Sequence, residues 1–143
     1  NGILQWELVD DDPAHRGLQE LVCDLNHHYV RESTLHRTDS QSRAFQCVDA
    51  APPTLSFLRW GQMEGEVFLY VFNFGPQSCA KQVGVPAGGQ WSSIINTAAS
   101  RYGGDVDAET RSQIAQKPGE EGHPFSFGVE LSSHSAQVWQ ADR

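Results

Sequence analysis

The feature that most restricts the possible folds of this chain is a series of short segments in which apolar and polar residues alternate. The segment from Glu66 to Phe74 is the most hydrophobic, and it is apolar on both faces, as a central strand of a sandwich must be. Turn residues separate it from similar segments on both sides. From Ala44 onward the pattern predicts a mainly β protein with an antiparallel β-sandwich or Greek-key arrangement. The predicted strands are Ala44–Val48, Thr54–Trp60, Glu66–Phe74, Ala80–Val85, Gln90–Ile95, Pro124–Leu131 and Ala136–Gln140.

Three polar segments are predicted to lie outside these strands. Gln62–Gly65 fits a hairpin loop between two strands, and the serine-rich stretch Arg37–Arg43 fits a boundary before the sandwich. Arg101–Gly122 is longer and contains glycines at both ends. Loops of more than about 15 residues are uncommon in compact domains, so we expect this one to be functional or mobile.

An amphipathic helix is predicted ahead of the sandwich. Asp12 is a suitable N-cap and Pro13 a suitable first helical residue, so the helix is expected from Pro13 to Glu32. Its apolar residues fall at offsets 0, 3, 4, 7 and 11, which is one helical stripe. A single helix must bury such a stripe, either on the sandwich or on a partner outside this chain. The stripe consists of Leu18, Leu21, Val22, Leu25 and Tyr29.

The composition argues against two classes of binding partner, nucleic acids and membranes. The chain has 18 acidic and 10 basic residues, a formal charge of -8, which disfavours nucleic acid as a partner. No apolar run reaches the roughly 20 residues of a membrane span, so we expect no membrane partner and see no signal peptide pattern. The three cysteines lie 24 and 32 residues apart, without metal-type spacing. This predicts reduced, buried thiols in a cytoplasmic protein, with no metal and no cofactor.

The chain shows no complete catalytic motif. It lacks the serine-hydrolase, phosphate-binding and zinc-protease signatures. Carboxylate pairs occur at Glu120–Glu121 and Asp105–Asp107, within the predicted loop, where solvation would keep them ionised. His27 and His28 are adjacent on the predicted helix and point about 100° apart, so we expect two partly exposed side chains rather than a metal site.

The tryptophans are the other candidates for binding. Trp91 and Trp139 lie within alternating strands and are expected in the core. Trp6 precedes the helix in a segment predicted to be irregular. Since aromatic rings can stack on the apolar faces of sugars, Trp6 is the open candidate for carbohydrate binding.

Several blocks of this sequence, in the same order, resemble the end of bacterial 1,4-α-glucan (glycogen) branching enzymes of the α-amylase superfamily, glycoside hydrolase family 13. The resemblance runs from Leu4 to about Gly104. The blocks include Leu4-Gln-Trp-Glu-Leu-Val9, His15-Arg-Gly-Leu-Gln-Glu-Leu-Val22, Leu55-Ser-Phe-Leu-Arg59, Asn73-Phe-Gly-Pro76, Val83-Gly-Val-Pro86, Ile95-Asn-Thr97 and Arg101-Tyr-Gly-Gly104.

The resemblance implies a division of the chain. Residues 1–40 would be the loop and last helix of a catalytic (β/α)8 barrel, and residues 41–143 the C-terminal all-β domain. The remainder of the barrel would be the missing partner of the helix. The full enzyme would cleave α-1,4 links of glycogen or amylose and transfer the glucan chain to a 6-hydroxyl. Its catalytic carboxylates lie on earlier strands, so this segment would supply scaffold and glucan contacts, with Trp6 as a substrate-binding candidate.

Two departures from the family pattern are visible. Phe45-Gln-Cys47 stands where the family often has Phe-x-Trp, a tryptophan that resembles a surface glucan platform, and Ser132–Ser135 replaces a hairpin that usually contains prolines. The alternative interpretation is a free-standing carbohydrate-binding or interaction module. The apolar helix stripe favours the first interpretation, because a free-standing module has no reason to keep a barrel helix.

Overall fold

The computed structural model describes residues 5–32, 35, 43–60, 66–107 and 111–142, and these form two helices followed by eight strands. The helices are α1 (Glu7–Asp11) and α2 (Pro13–Arg31). The strands are β1 (Arg43–Ala50), β2 (Pro53–Trp60), β3 (Val67–Asn73), β4 (Cys79–Val85), β5 (Gly89–Asn96), β6 (Ser112–Ala115), β7 (Phe125–Leu131) and β8 (Ser135–Ala141).

Helix α2 begins where the sequence predicts. The Asp12 side chain accepts a hydrogen bond from the Ala14 backbone N–H at 2.9 Å, and Pro13 occupies the first turn. This backbone hydrogen bond, followed by the one from His15, lowers the pKa of Asp12. The short helix α1 was not predicted, because the sequence shows no helical period over so few residues.

The strands form two antiparallel sheets. The larger sheet has the order β1-β2-β3-β8-β5-β6, and the smaller one pairs β4 with β7. Every strand predicted from the alternating pattern is present, and the mainly β antiparallel arrangement with an N-terminal helix is confirmed.

The core lies between the two sheets. Trp91 and Trp139 are 0% and 2% exposed, as predicted, and the Phe127 ring contacts both at centroid distances of 5.7 and 5.2 Å. The inward-facing residues of β3 and β4 complete this core, so alternation along the strands fixes which face is buried. They are Val67, Leu69, Val71, Val83 and Val85.

The prediction of one long loop over residues 101–122 was wrong. A 3-10 turn at Ser100–Tyr102 and strand β6 interrupt it. Strand β6 is an edge strand whose largest apolar residue, Ile114, is 62% exposed, so its sequence carries no clear alternation. The predicted hairpin loop Gln62–Gly65 and most of the segment 37–43 lie outside the described residues.

Among the helices of the described ranges, none combines the length and the hydropathy of a membrane-spanning segment.

Candidate functional site

Helix α2 has two distinct faces, and the first contacts the β domain. This inner face consists of Gly17, Leu21, Asp24 and His28, spaced at helical intervals. The Tyr102 hydroxyl donates a hydrogen bond to Asp24 Oδ2 at 2.6 Å, and His28 Nε2 lies 3.1 Å from the Tyr70 hydroxyl. These polar contacts seat the helix on the outer side of the larger sheet.

Gly17 allows the helix to approach the β domain closely. A Cβ atom at this position would lie 2.5 Å from the carbonyl carbon of Tyr102 and 2.8 Å from the backbone nitrogen of Gly103. Both distances are shorter than any ordinary van der Waals contact. The glycine that weakens the helix by propensity is therefore required for its packing.

Burial changes the electrostatics of the inner face. It lowers the pKa of His28, which packs edge-on against the Phe68 ring at a centroid distance of 5.2 Å. Burial and then the hydrogen bond to Asp24 raise the pKa of Tyr102 to about 12. The guanidinium of Arg101 also pairs with Asp24, at 3.0 Å. His28 is half-buried and His27 is exposed, in line with the partial exposure expected for both, but the contacts of His28 with Tyr70 and Phe68 were not visible in the helical period.

The second face of α2 is apolar and exposed. Of the predicted stripe, Leu21 is partly buried and packs against the apolar cluster that contains Ile95, Tyr102 and Val138. The other members form what we call the outer stripe, with exposed fractions of 58% for Leu18, 48% for Val22, 40% for Leu25 and 49% for Tyr29. A continuous apolar row of this kind is typical of a surface that contacts another protein part.

The candidate Trp6 lies at the N-cap of α1, immediately before its first helical residue. Its side chain is 67% exposed, in contrast to the buried Trp91 and Trp139. The ring is therefore accessible to a ligand, and its role as a glucan contact stays a prediction.

A cluster of charged residues joins the two sheets on the other side of the molecule. Lys81 on β4 binds the carboxylates of Asp49 on β1 and Glu121 in the loop before β7, the latter at 2.9 Å. The Lys81 and Glu121 side chains are only 8% and 11% exposed. Glu121 was expected to be solvated, and this was wrong because its charge is compensated by a lysine distant in sequence.

The same cluster has a spacing compatible with a metal ion. Cys47 Sγ and the carboxylate oxygens of Asp49 and Glu121 lie within 4.8 Å of one another. Burial, and then hydrogen bonding to Glu121, raise the pKa of Cys47, so its thiol stays protonated. Burial alone would lower the pKa of Lys81, but its hydrogen bonds to both carboxylates outweigh burial and raise it. The ammonium group already takes the place of a cation, so the cluster acts as a structural ion pair.

All three cysteines are free, as expected. Their predicted burial is wrong for Cys23, which is exposed on α2, whereas Cys47 and Cys79 are half-buried.

Comparison with known families identifies the β domain. The family model of the alpha amylase C-terminal all-beta domain matches residues 46–142. The chain belongs to this family. The match covers β2 to β8 entirely and most of β1, so the α-amylase C-terminal domain and the described β domain coincide.

Relatives of this family member are curated as branching enzymes. The chain is 40% identical over 139 residues to the 1,4-alpha-glucan branching enzyme GlgB 1 of Xanthomonas axonopodis pv. citri, covering 94% of this chain and 19% of the relative. It is 39% identical over 132 residues to the GlgB of Aquifex aeolicus, covering 90% and 21%. It is 36% identical over 145 residues to the GlgB of Synechococcus sp. (strain WH7803), covering 99% of this chain and 19% of the relative. The predicted resemblance is confirmed, and the chain spans about a fifth of these relatives.

Proposed function

We propose that this chain is the C-terminal segment of a 1,4-α-glucan branching enzyme of glycogen biosynthesis, located in the cytoplasm. In this role it supplies scaffold and glucan contacts, while the rest of the enzyme supplies the catalytic carboxylates. The observation that carries the proposal is that α2 has two different faces: it docks on the β domain through Leu21 and the polar contacts of Asp24 and His28, and it leaves the outer stripe exposed.

The outer stripe fits the scaffold role. Fully burying one such side chain stabilises a protein by about 1.5 to 3 kcal/mol, and these side chains are about half exposed. Covering all four would add several kcal/mol to the docking of a partner. The remainder of a catalytic barrel is the partner proposed, since the relatives extend well beyond the matched segment.

The carboxylates described above support the proposal that catalysis belongs to the rest of the enzyme. Cleavage and transfer of an α-glucan need one carboxylate as nucleophile and another as acid and base. Here Asp49 and Glu121 are bound to Lys81, and Asp24 is bound to Tyr102 and Arg101. Such compensated groups serve structure, so in this proposal the catalytic pair belongs to the preceding barrel.

Trp6 is the proposed glucan contact. Its exposed indole ring offers an apolar face for stacking on a sugar, and it precedes the helix that would close the barrel. A contact at this point would place the glucan close to the junction between barrel and β domain.

Complementation tests the scaffold proposal. We would co-express this chain with the Aquifex aeolicus enzyme truncated before the matched region, and measure branching of amylose by iodine staining. We expect the chain alone to be inactive and the pair to be active. The double variant Val22→Lys/Leu25→Lys should lower the branching rate of the pair about tenfold or more, because it places charges in the proposed interface.

The control variant is Gln19→Lys, which adds one charge to another exposed position of α2. It should complement like the parent chain. Circular dichroism would show that the stripe variant still folds. Equal complementation by the stripe variant, or a chain that binds glucan but never associates with the truncated enzyme, would instead support a free-standing carbohydrate-binding or interaction module.

A further inference from the structure

One edge of strand β7 faces a polar crevice. Within the described residues, β7 forms a ladder only with β4, and its other edge meets the end of β6 at a single bridge. There Ser126 and Gln116 exchange two backbone hydrogen bonds of 2.9 and 3.0 Å. Two adjoining cavities of about 370 Å³ each lie along β7 near this bridge; Arg111, which precedes β6, lines both, and Gln113 of β6 lines the second. We call this space the β6–β7 crevice.

Backbone groups of β7 point into the crevice. Because hydrogen-bonding directions alternate along an antiparallel strand, Gly128 and Glu130 direct their N–H and C=O groups to the same side as Ser126. The side chain of Gln137 agrees with this, since its Nε2 donates to the Glu130 carbonyl at 2.7 Å. Gln137 is only 4% exposed, and its Oε1 accepts from the Trp139 indole at 3.0 Å. The buried amide is thus held in place by the core.

The side chains of the crevice suit a neutral ligand. Arg111 Nη1 lies 3.8 Å from Glu130 Oε2, and Lys81 is bound to its own two carboxylates. Among the described residues that line the two cavities, both basic side chains therefore have an acidic neighbour. Gln82 and Gln113 add further amides to the lining, and each amide can both donate and accept hydrogen bonds. Hydroxyl groups have the same dual character, so the lining fits a chain of hydroxyl-rich units.

The two cavities are neighbours, because Ala80, Arg111 and Glu130 line both. Their linings together extend from Gly128 on β7 to Ser132, the residue after its end, which is about 13 Å at the usual rise of a strand. Each volume lies within the usual range of ligand sites. The crevice is therefore elongated, as a linear oligomer requires, rather than closed around one small molecule.

We infer that the β6–β7 crevice binds a linear segment of an α-1,4-glucan. The inference rests on the proposed function for the choice of α-glucan among hydroxyl-rich chains. An extended peptide that adds to the β7 edge is the other occupant to consider. The observations favour glucan, because amides and a paired arginine line the crevice where an added strand would need apolar pockets for its side chains.

Titration of the isotope-labelled chain with maltoheptaose, followed by amide chemical shifts, tests the inference. We expect saturable shifts at Gly128, Glu130 and Gln113. The variant Gln113→Ala should raise the dissociation constant about three- to tenfold, as expected for a lost hydrogen bond. The matched control is Gln90→Ala, an exposed glutamine on the same β5–β6 ladder that lines neither cavity. It should bind like the parent chain.

Three outcomes would overturn the inference. Shifts confined to Trp6 and α2 would place the glucan elsewhere and leave the proposed function intact. Equal shifts with cellohexaose, whose links are β-1,4, would remove the commitment to α-glucan. Larger shifts with a valine- and threonine-rich hexapeptide would make the β7 edge a peptide site. Failure of the proposed function is detected separately, by the complementation assay with the outer-stripe variants.

Discussion

Lys81 connects three parts of the chain that are distant in sequence. Its ammonium group binds Asp49 on β1 and Glu121 in the loop before β7, and its side chain is 8% exposed. Thr54 also donates to the Asp49 carboxylate, at 3.3 Å. The interaction holds the smaller sheet against the edge of the larger one.

At this scale we predict the effect of removing the ammonium group. Lys81→Met keeps most of the side-chain volume but leaves Glu121 buried without its compensating charge. We expect the free energy of unfolding at neutral pH to fall by about 3 kcal/mol, the low end for a broken buried pair, since Asp49 is 46% exposed. Urea unfolding would measure the change. The control Lys117→Met removes an exposed lysine and should change stability little; a comparable loss for both variants would contradict the prediction.

At the scale of elements, the close contact between α2 and the turn at Tyr102 depends on Gly17. Replacing a glycine within a helix by alanine usually stabilises the helix by about 1 kcal/mol. Here the added methyl group would overlap the backbone of Tyr102, and overpacking of this kind costs about 1 to 3 kcal/mol. We therefore predict that Gly17→Ala lowers the melting temperature and loosens the helix.

Hydrogen exchange of the α2 amides, compared with those of β3, would locate this effect. The control Gln19→Ala lies on an exposed position of the same helix and should leave exchange unchanged. If Gly17→Ala instead raised the melting temperature, the close approach between helix and turn would not be needed for docking.

Helices and strands with a clear hydrophobic period were predictable from the sequence. The contacts that their polar side chains make with other elements were not. Alternation located β2 and β3, and the Asp12-Pro13 signal located the start of α2. The contacts of Asp24 and His28 were not predictable, because their partners, Tyr102 and Tyr70, lie far along the chain. Local patterns carry no information on such contacts. For the same reason the sequence predicted that the helix has an apolar face, but it did not predict which side of the helix would contact the β domain.

At the scale of the whole molecule, the helices and the β domain form two layers, and the β domain is held by more buried apolar contacts than the helices are. The β domain is held by a large apolar core that includes Trp91 and Trp139. The helix layer is attached by a small cluster around Leu21 and Tyr102 and by the polar contacts of Asp24 and His28. Few buried apolar contacts imply a low free energy of local opening. The helix layer should therefore separate from the β domain before the core unfolds.

Acidification should promote this separation through His28. Its pKa in the folded state lies below the ordinary value of 6.5, because burial disfavours the charged ring. Between the two values the unfolded or undocked helix binds more protons, so the stability of docking is complete above about pH 6.5 and falls as the pH falls towards the folded pKa. Asp24, Glu32, Arg31 and Arg101 line the same cleft. We expect the urea midpoint of the helix, followed by far-UV circular dichroism, to fall between about pH 7 and about pH 5, while tryptophan fluorescence of the core changes less.

His28→Gln, which can keep the hydrogen bond to Tyr70, should weaken this pH dependence, and His27→Gln should preserve it. Coincident transitions at every pH, or an unchanged slope in His28→Gln, would show that the helix and the β domain unfold as one unit without a contribution from His28.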